Sequence, residues 1–126
     1  MNGGKPKWRH PVPDQDQKLD NDPNLAAIVN TTQGSYRVIV GRGVIDDLGS
    51  ELRKTGLQGR AFLVADAVMF PTQVSRAHEA LERGGYETHV FALELGEANK
   101  NLKTVETVYS WLAERLADRG DIVVAM

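Results

Sequence analysis

Ala61-Phe62-Leu63-Val64-Ala65 is an unbroken apolar run. A strand with one wet face alternates apolar and polar residues. A run without alternation suits a strand covered on both faces, as in a parallel sheet. Two further stretches have the same character, Thr88 to Leu93 and Ile122-Val123-Val124-Ala125. Helical patterns separate them. Pro71 to Arg83 reads as a helix, with Pro71 at its first position, Val74, Ala77 and Leu81 as its apolar stripe, and Gly84-Gly85 as its stop. Leu102 to Asp118 reads as another, because Leu102, Val105, Val108, Tyr109, Leu112 and Leu116 keep the 3.6-residue period. Asn101 suits its N-cap, and Arg115, Arg119 and Gly120 mark its end.

Upstream, Val44 to Lys54 places Ile45, Leu48 and Leu52 on one helical face. Asp46 and Asp47 stand in its first turn and Arg53 and Lys54 in its last, an order that complements the helix dipole. Gly49 inside it costs about 1 kcal/mol relative to alanine. Before that, Leu25 to Asn30 and Tyr36 to Val40 read as the strands of a hairpin around a five-residue loop, Thr31 to Ser35, with Gly41 and Gly43 ending the second strand. A β-hairpin followed by α-β-α-β-α-β predicts an α/β fold with a parallel sheet flanked by helices. Ligands of such sheets bind beyond the carboxyl ends of the strands. That rule directs attention to Asp66 and to Leu95 through Lys100.

Composition narrows the function classes. The chain has 126 residues, which suits one domain. It has no cysteine, so a disulfide scaffold, a thiolate zinc site, a Cys nucleophile and an iron–sulfur cluster are excluded. Fifteen basic and seventeen acidic residues leave a formal charge of −2, which gives no electrostatic footprint for nucleic acid or an anionic membrane. No apolar run approaches the roughly 18–20 residues of a membrane span. The N-terminus lacks the apolar core of a secretory signal and is too acidic for a transit peptide, so the expected location is the cytoplasm. Residues 1–24 hold four of the five prolines and almost no aliphatic side chains. They read as a disordered leader or linker, with residues 25–126 as the domain. Ile122 to Met126 reads as the opening of a buried strand, and exposed strand edges are hazardous. The expectation is therefore an incomplete domain, the alternative being that this strand forms the last edge of a small sheet.

Candidate chemistry is sparse. Gly41-Arg42-Gly43 lacks the third glycine of a dinucleotide fingerprint, because Asp46 stands at that position. It reads as a turn between strand and helix. Asp66 directly follows an apolar strand, where a carboxylate either accepts hydrogen bonds from ribose hydroxyls or caps the next turn. Leu95-Gly96-Glu97-Ala98-Asn99-Lys100 precedes the long helix. Either Lys100 and the helix start attract phosphate while Glu97 takes hydroxyls, or the segment is a solvated loop with surface charges. His10, His78 and His89 lack metal-ligand spacing, and no serine-hydrolase, zincin or phosphate-loop signature occurs. No catalytic residue and no metal ligand is expected in this chain.

Four blocks resemble a known family. They are Tyr36-Arg37-Val38-Ile39-Val40-Gly41-Arg42-Gly43 with Asp46-Asp47-Leu48-Gly49; Leu63-Val64-Ala65-Asp66-Ala67-Val68; Gly96 through Glu106; and Asp118-Arg119-Gly120-Asp121-Ile122-Val123-Val124-Ala125. In order and spacing they are similar to the N-terminal region of 3-dehydroquinate synthases. The resemblance implies a Rossmann-like NAD-binding domain of a two-domain, NAD- and metal-dependent enzyme of the shikimate pathway. It implies conversion of a small sugar phosphate, 3-deoxy-arabino-heptulosonate 7-phosphate, into 3-dehydroquinate and phosphate, in a protein that is commonly a homodimer. Asp66, Glu97 and Lys100 match nucleotide-contacting positions, and Leu95, Gly96, Ala98 and Asn99 line the same loop. Val68 departs from the asparagine common there, and Leu95 from an aspartate. The family's glycine triplet and its zinc or cobalt ligands have no counterpart in these 126 residues. Other sugar-phosphate cyclases and the iron-dependent alcohol and glycerol dehydrogenases share this architecture. A non-catalytic binding module is the remaining alternative.

Overall fold

The computed structural model describes residues 22–94 and 96–126. Most of the expected leader, and Leu95, lie outside them. The chain divides into two compact units, Met1–Val44 and Ile45–Met126.

The described part of the first unit is a hairpin. β1 (Leu25–Thr31) pairs antiparallel with β2 (Gly34–Ile39), and Thr31 stands opposite Gly34. The loop is therefore Thr32-Gln33 rather than the five residues expected. Thr31, Gly34 and Ser35 look like loop residues by type. On a ribbon with no buried residue, however, side-chain polarity does not decide whether the backbone ladder continues. The Thr31 hydroxyl donates to the Gly34 carbonyl at 2.8 Å and accepts the Gln33 N–H at 3.2 Å, which closes the turn. Gly43, at φ +75°, makes the left-handed step expected of the turn after the hairpin.

The second unit is a three-stranded parallel sheet with helices on both faces. Its elements are α1 (Leu48–Lys54), β3 (Ala61–Asp66), α2 (Ser75–Arg83), β4 (Thr88–Leu93), α3 (Leu102–Glu114) and β5 (Ile122–Ala125). The strand order is β4-β3-β5, with the apolar run of β3 in the centre. The expected α/β class, parallel sheet and preceding hairpin are all present. Each helix is shorter than its sequence pattern. A 3₁₀ turn, Val44–Asp47, precedes α1. A π-helical turn, Phe70–Val74, precedes α2, and there the Ser75 hydroxyl donates to the Phe70 carbonyl at 3.0 Å. Gly85 at φ +82° ends α2, as its paired glycines predict.

The two faces of the sheet are covered differently. Alternation along β3 sends Ala61, Leu63 and Ala65 to one side. There they join Val74, Ala77, Leu81, Tyr86 and Ile122 in the buried core, with Ile45, Leu48 and Leu52 of the first helical segment packed against it. α1 and α2 cross through glycine, because the backbones of Gly49 and Gly84 touch. Arg53 secures this crossing by donating to the carbonyls of Gly84 and Gly85, each at 2.8 Å, while its guanidinium covers the Tyr86 ring. On the opposite side, Trp111 of α3 stacks on Phe91 with ring centroids 4.9 Å apart and meets Phe62 edge-on at 5.4 Å.

α3 departs most from expectation. It ends at Glu114, four residues early. Leu116 takes a left-handed conformation at φ 53°, and the N–H groups of Leu116 and Ala117 return to the carbonyls of Ala113 and Leu112. This is the αL helix stop that usually employs glycine. The apolar stripe read from the sequence is also largely uncovered: Leu102, Val105, Tyr109 and Leu116 are exposed, and Trp111 is the buried residue of the helix.

Arg60 and Asp121 join the end of α3 to the start of β3 and β5. The Asp121 carboxylate accepts from Arg60 Nη2 at 2.7 Å and from the backbone N–H of Arg60 and Asp118 at 2.9 and 3.0 Å. Arg60 also donates to the carbonyls of Arg115 and Leu116, at 2.9 and 2.8 Å. The Arg60 guanidinium, and then the Asp118 N–H, hold the Asp121 carboxyl down at about 2. A carboxyl depressed by folding stabilises the fold above the pKa of the unfolded chain, and that contribution disappears as pH falls through the folded value. Urea titrations are expected to show stability falling between about pH 4 and pH 2. Asp121→Asn should be less stable at neutral pH by about 2 kcal/mol and should lose most of this slope. An unchanged slope in the variant would remove Asp121 as its source.

No helix among the described residues is long and apolar enough to cross a membrane.

Candidate functional site

The carboxyl ends of β3 and β4 lie side by side, with Asp66 paired to Leu93. Paired residues of parallel strands point to the same side, and residues two apart on a strand share a side. Val64, Asp66 and Leu93 therefore face the side that carries α3. An open groove of about 560 Å³ lies there. Its apolar wall consists of Val64 and Leu93 from the sheet and Leu102, Val105 and Val108 from α3. Its polar end consists of Asn99, Lys100, Asn101 and Thr104. A mostly apolar concavity with a few polar groups at one end is the ordinary form of a small-molecule site, and its volume is in the usual range.

The loop builds the polar end from local hydrogen bonds. Gly96 leads into a 3₁₀ turn, Glu97–Asn99, in which the Asn99 N–H bonds the Gly96 carbonyl at 2.7 Å. The Asn99 side chain donates to the Glu94 carbonyl at 2.9 Å, which closes the loop on the end of β4. Asn101 caps α3 as its sequence predicts, accepting the Thr104 N–H at 3.0 Å. The Thr104 hydroxyl donates to the Asn99 carbonyl. Lys100 Nζ donates to Glu97 Oε1 at 2.8 Å, with both side chains well exposed.

The sequence-derived candidates separate into groups. Asn99 and Lys100 line the groove. Glu97 is outside the lining and pairs with Lys100, which is in it. Asp66 is on the same side, opposite Leu93, but outside the lining. One of its oxygens accepts the Val68 N–H at 3.0 Å, so the capping role is present. Its other oxygen makes no hydrogen bond among the described residues. Ala98 is exposed in the turn, and a side chain at Gly96 would meet no atom within 4 Å. Leu95 lies outside the described residues. Sequence reading missed Val64, Leu93, Asn101, Leu102, Thr104, Val105 and Val108 as lining residues, Asn101 reading only as a helix cap. The usable signal was the pairing of a strand's carboxyl end with the first turns of the helix on the same face. Among the described residues, no group of three His, Asp or Glu side chains is placed to hold a metal ion.

No protein-family model matches the chain. Curated 3-dehydroquinate synthases do. The protein of Citrifermentans bemidjiense is 33% identical over 92 residues, 73% of this chain and 25% of that protein. That of Streptococcus sanguinis is 34% identical over 98 residues, 78% and 28% of the two chains. That of Clostridium kluyveri is 26% identical over 98 residues, 78% and 27%. The chain thus spans about a quarter of the length of these relatives. With this fold and these alignments, the chain is similar to the 3-dehydroquinate synthases over that quarter of their length.

Proposed function

We propose that the chain is the N-terminal, NAD-binding part of a 3-dehydroquinate synthase, with residues 25–126 forming the nucleotide domain and Asp66 and Gly96 to Lys100 lying along the nucleotide. One observation carries this reading: the groove opens at the carboxyl ends of β3 and β4 and is lined by the loop the family resemblance singles out. Its chemistry suits the adenosine half of the cofactor. An adenine ring needs flat apolar walls, which Leu93, Val105 and Val108 supply. Ribose hydroxyls need acceptors, which the free oxygen of Asp66 and the Glu97 carboxylate supply. Bound NAD would provide reversible hydride acceptance from the sugar. The described residues do not fit a zinc or cobalt site. The role read for the described residues of this chain is to hold and orient the nucleotide.

Two measurements test this. By calorimetry or NMR titration, the chain is expected to bind NAD+ weakly, with a Kd on the order of 1 mM, since it spans about a quarter of the length of its relatives. Asp66→Asn should weaken binding about fivefold, since a carboxylate accepts more strongly than an amide oxygen. The purified chain should not release phosphate from the heptulosonate phosphate. Phosphate release by this chain, or NAD+ binding indifferent to Asp66→Asn, contradicts the assignment.

A further inference from the structure

We propose that the outer edge of β5 is a self-association surface, on which a second copy of this chain adds its own β5 antiparallel and joins the two sheets into one. The inference is independent of the nucleotide reading. Among the described residues β5 pairs on one side, with β3. The Ile122 and Met126 N–H groups are spent on that side, donating to the carbonyls of Arg60 and Val64 at 2.8 and 2.9 Å. Backbone groups of alternate residues point to opposite edges, so those of Val123 and Ala125 face outward. A copy that sets Val124 opposite its own counterpart places Val123 against Ala125 on either side of the axis, and each such pair exchanges two hydrogen bonds. Edge strands are normally protected by lysine, proline or a bulge. Ile122-Val123-Val124-Ala125 has no such residue, and its register against β3 is unbroken. One face of β5 is bare as well. Val123 pairs with Phe62 and shares its side of the sheet. On that side Trp111 of α3 covers Phe62 and Phe91, and Phe62 is fully buried, yet Val123 is 59% exposed. Charge selects this edge over the other. β4 is bracketed by Glu87 and Glu94, which an antiparallel copy centred on β4 would set against each other. β5 carries no charged side chain, and the Asp121 carboxylate just before it is held by Arg60.

Sedimentation velocity on the 126-residue chain tests this from about 10 μM to about 1 mM, because so short a strand makes a weak dimer. The chain is expected to pass from monomer to dimer and to stop there. Amide hydrogen exchange should slow with concentration at Val123 and Ala125 and stay unchanged at Ile122 and Met126, which are already bonded to β3. Ala125→Pro removes an outward N–H that the fold does not use, and should weaken dimerisation at least about tenfold with an unaltered far-ultraviolet circular dichroism spectrum. Val123→Lys should do the same by setting like charges beside the seam, whereas Val123→Thr keeps a β-branched side chain and should leave the dimer in place. A monomer throughout the series overturns the proposal. So does a dimer that persists in both Ala125→Pro and Val123→Lys; if Tyr109→Lys abolishes that dimer, the contact lies on the exposed stripe of α3 instead. Growth beyond the dimer overturns the twofold pairing in favour of open-ended pairing that includes β4.

Discussion

Trp111→Ala is expected to destabilise the second unit by about 4 kcal/mol and to release α3 from the sheet. Trp111 is 6% exposed and contacts both Phe62 and Phe91. Leu102 and Tyr109 give little to its anchoring, at 82% and 67% exposed, and Val108 and Leu112 are only half-buried. The Asn101 cap at one end contributes about 1 kcal/mol, and at the other the Arg60 guanidinium donates to the Arg115 and Leu116 carbonyls. Urea denaturation followed by far-ultraviolet circular dichroism checks this, with Trp111→Phe as the comparison. Phenylalanine retains an aromatic surface against Phe91 and should cost about half as much. If Trp111→Ala costs less than about 1 kcal/mol, α3 is held by something else. The same variant should lose NAD+ binding, because Val105 and Val108 carry one wall of the groove on that helix.

Gly49→Ala has the second largest expected effect, and its sign opposes helix propensity. In an isolated helix the substitution gains about 1 kcal/mol. Here a Cβ at position 49 would lie 2.2 Å from the Ala80 carbonyl oxygen and 2.9 Å from the Gly84 Cα. Both are backbone atoms of the α2 segment and its stop, and Arg53 pins the Gly84 and Gly85 carbonyls. The crossing must open, at a net cost of about 3 kcal/mol. Gly96→Ala is the control, because a side chain there meets nothing within 4 Å. Its midpoint in urea should barely move. A Gly49→Ala variant more stable than the unmodified chain would refute the close approach of the two helices.

Gly49 also shows where sequence reading stops. Within Val44 to Lys54 it registers only as a propensity defect, because its partner Gly84 lies in a different helix stop. The same limit hid Trp111. Periodicity selected the stripe from Leu102 to Leu116, which is genuinely apolar, but period alone does not say which side of a helix a sheet will cover. The hairpin turn was misjudged for a related reason. Thr31 and Ser35 have loop-like side chains, yet an exposed ladder places no demand on polarity. The loop from Gly96 to Lys100 was legible because position after a strand is a local fact. The opposite wall of the groove was not, because Val64 and Val108 meet only through the fold.

From its own residues the chain determines the order of strands and helices, the parallel class of the sheet, the Asn101 cap, the glycine stop of α2 and the likeness to 3-dehydroquinate synthases. These follow from backbone hydrogen bonding and from side-chain period, both of which act within a few residues. The tertiary structure alone decides that α3 is anchored through Trp111, that α1 and α2 touch through glycine, and that Lys100 reaches the groove already paired with Glu97. Each of these depends on how closely backbones and charged groups approach once elements pack, and packing distance is set by neighbours that local sequence does not name.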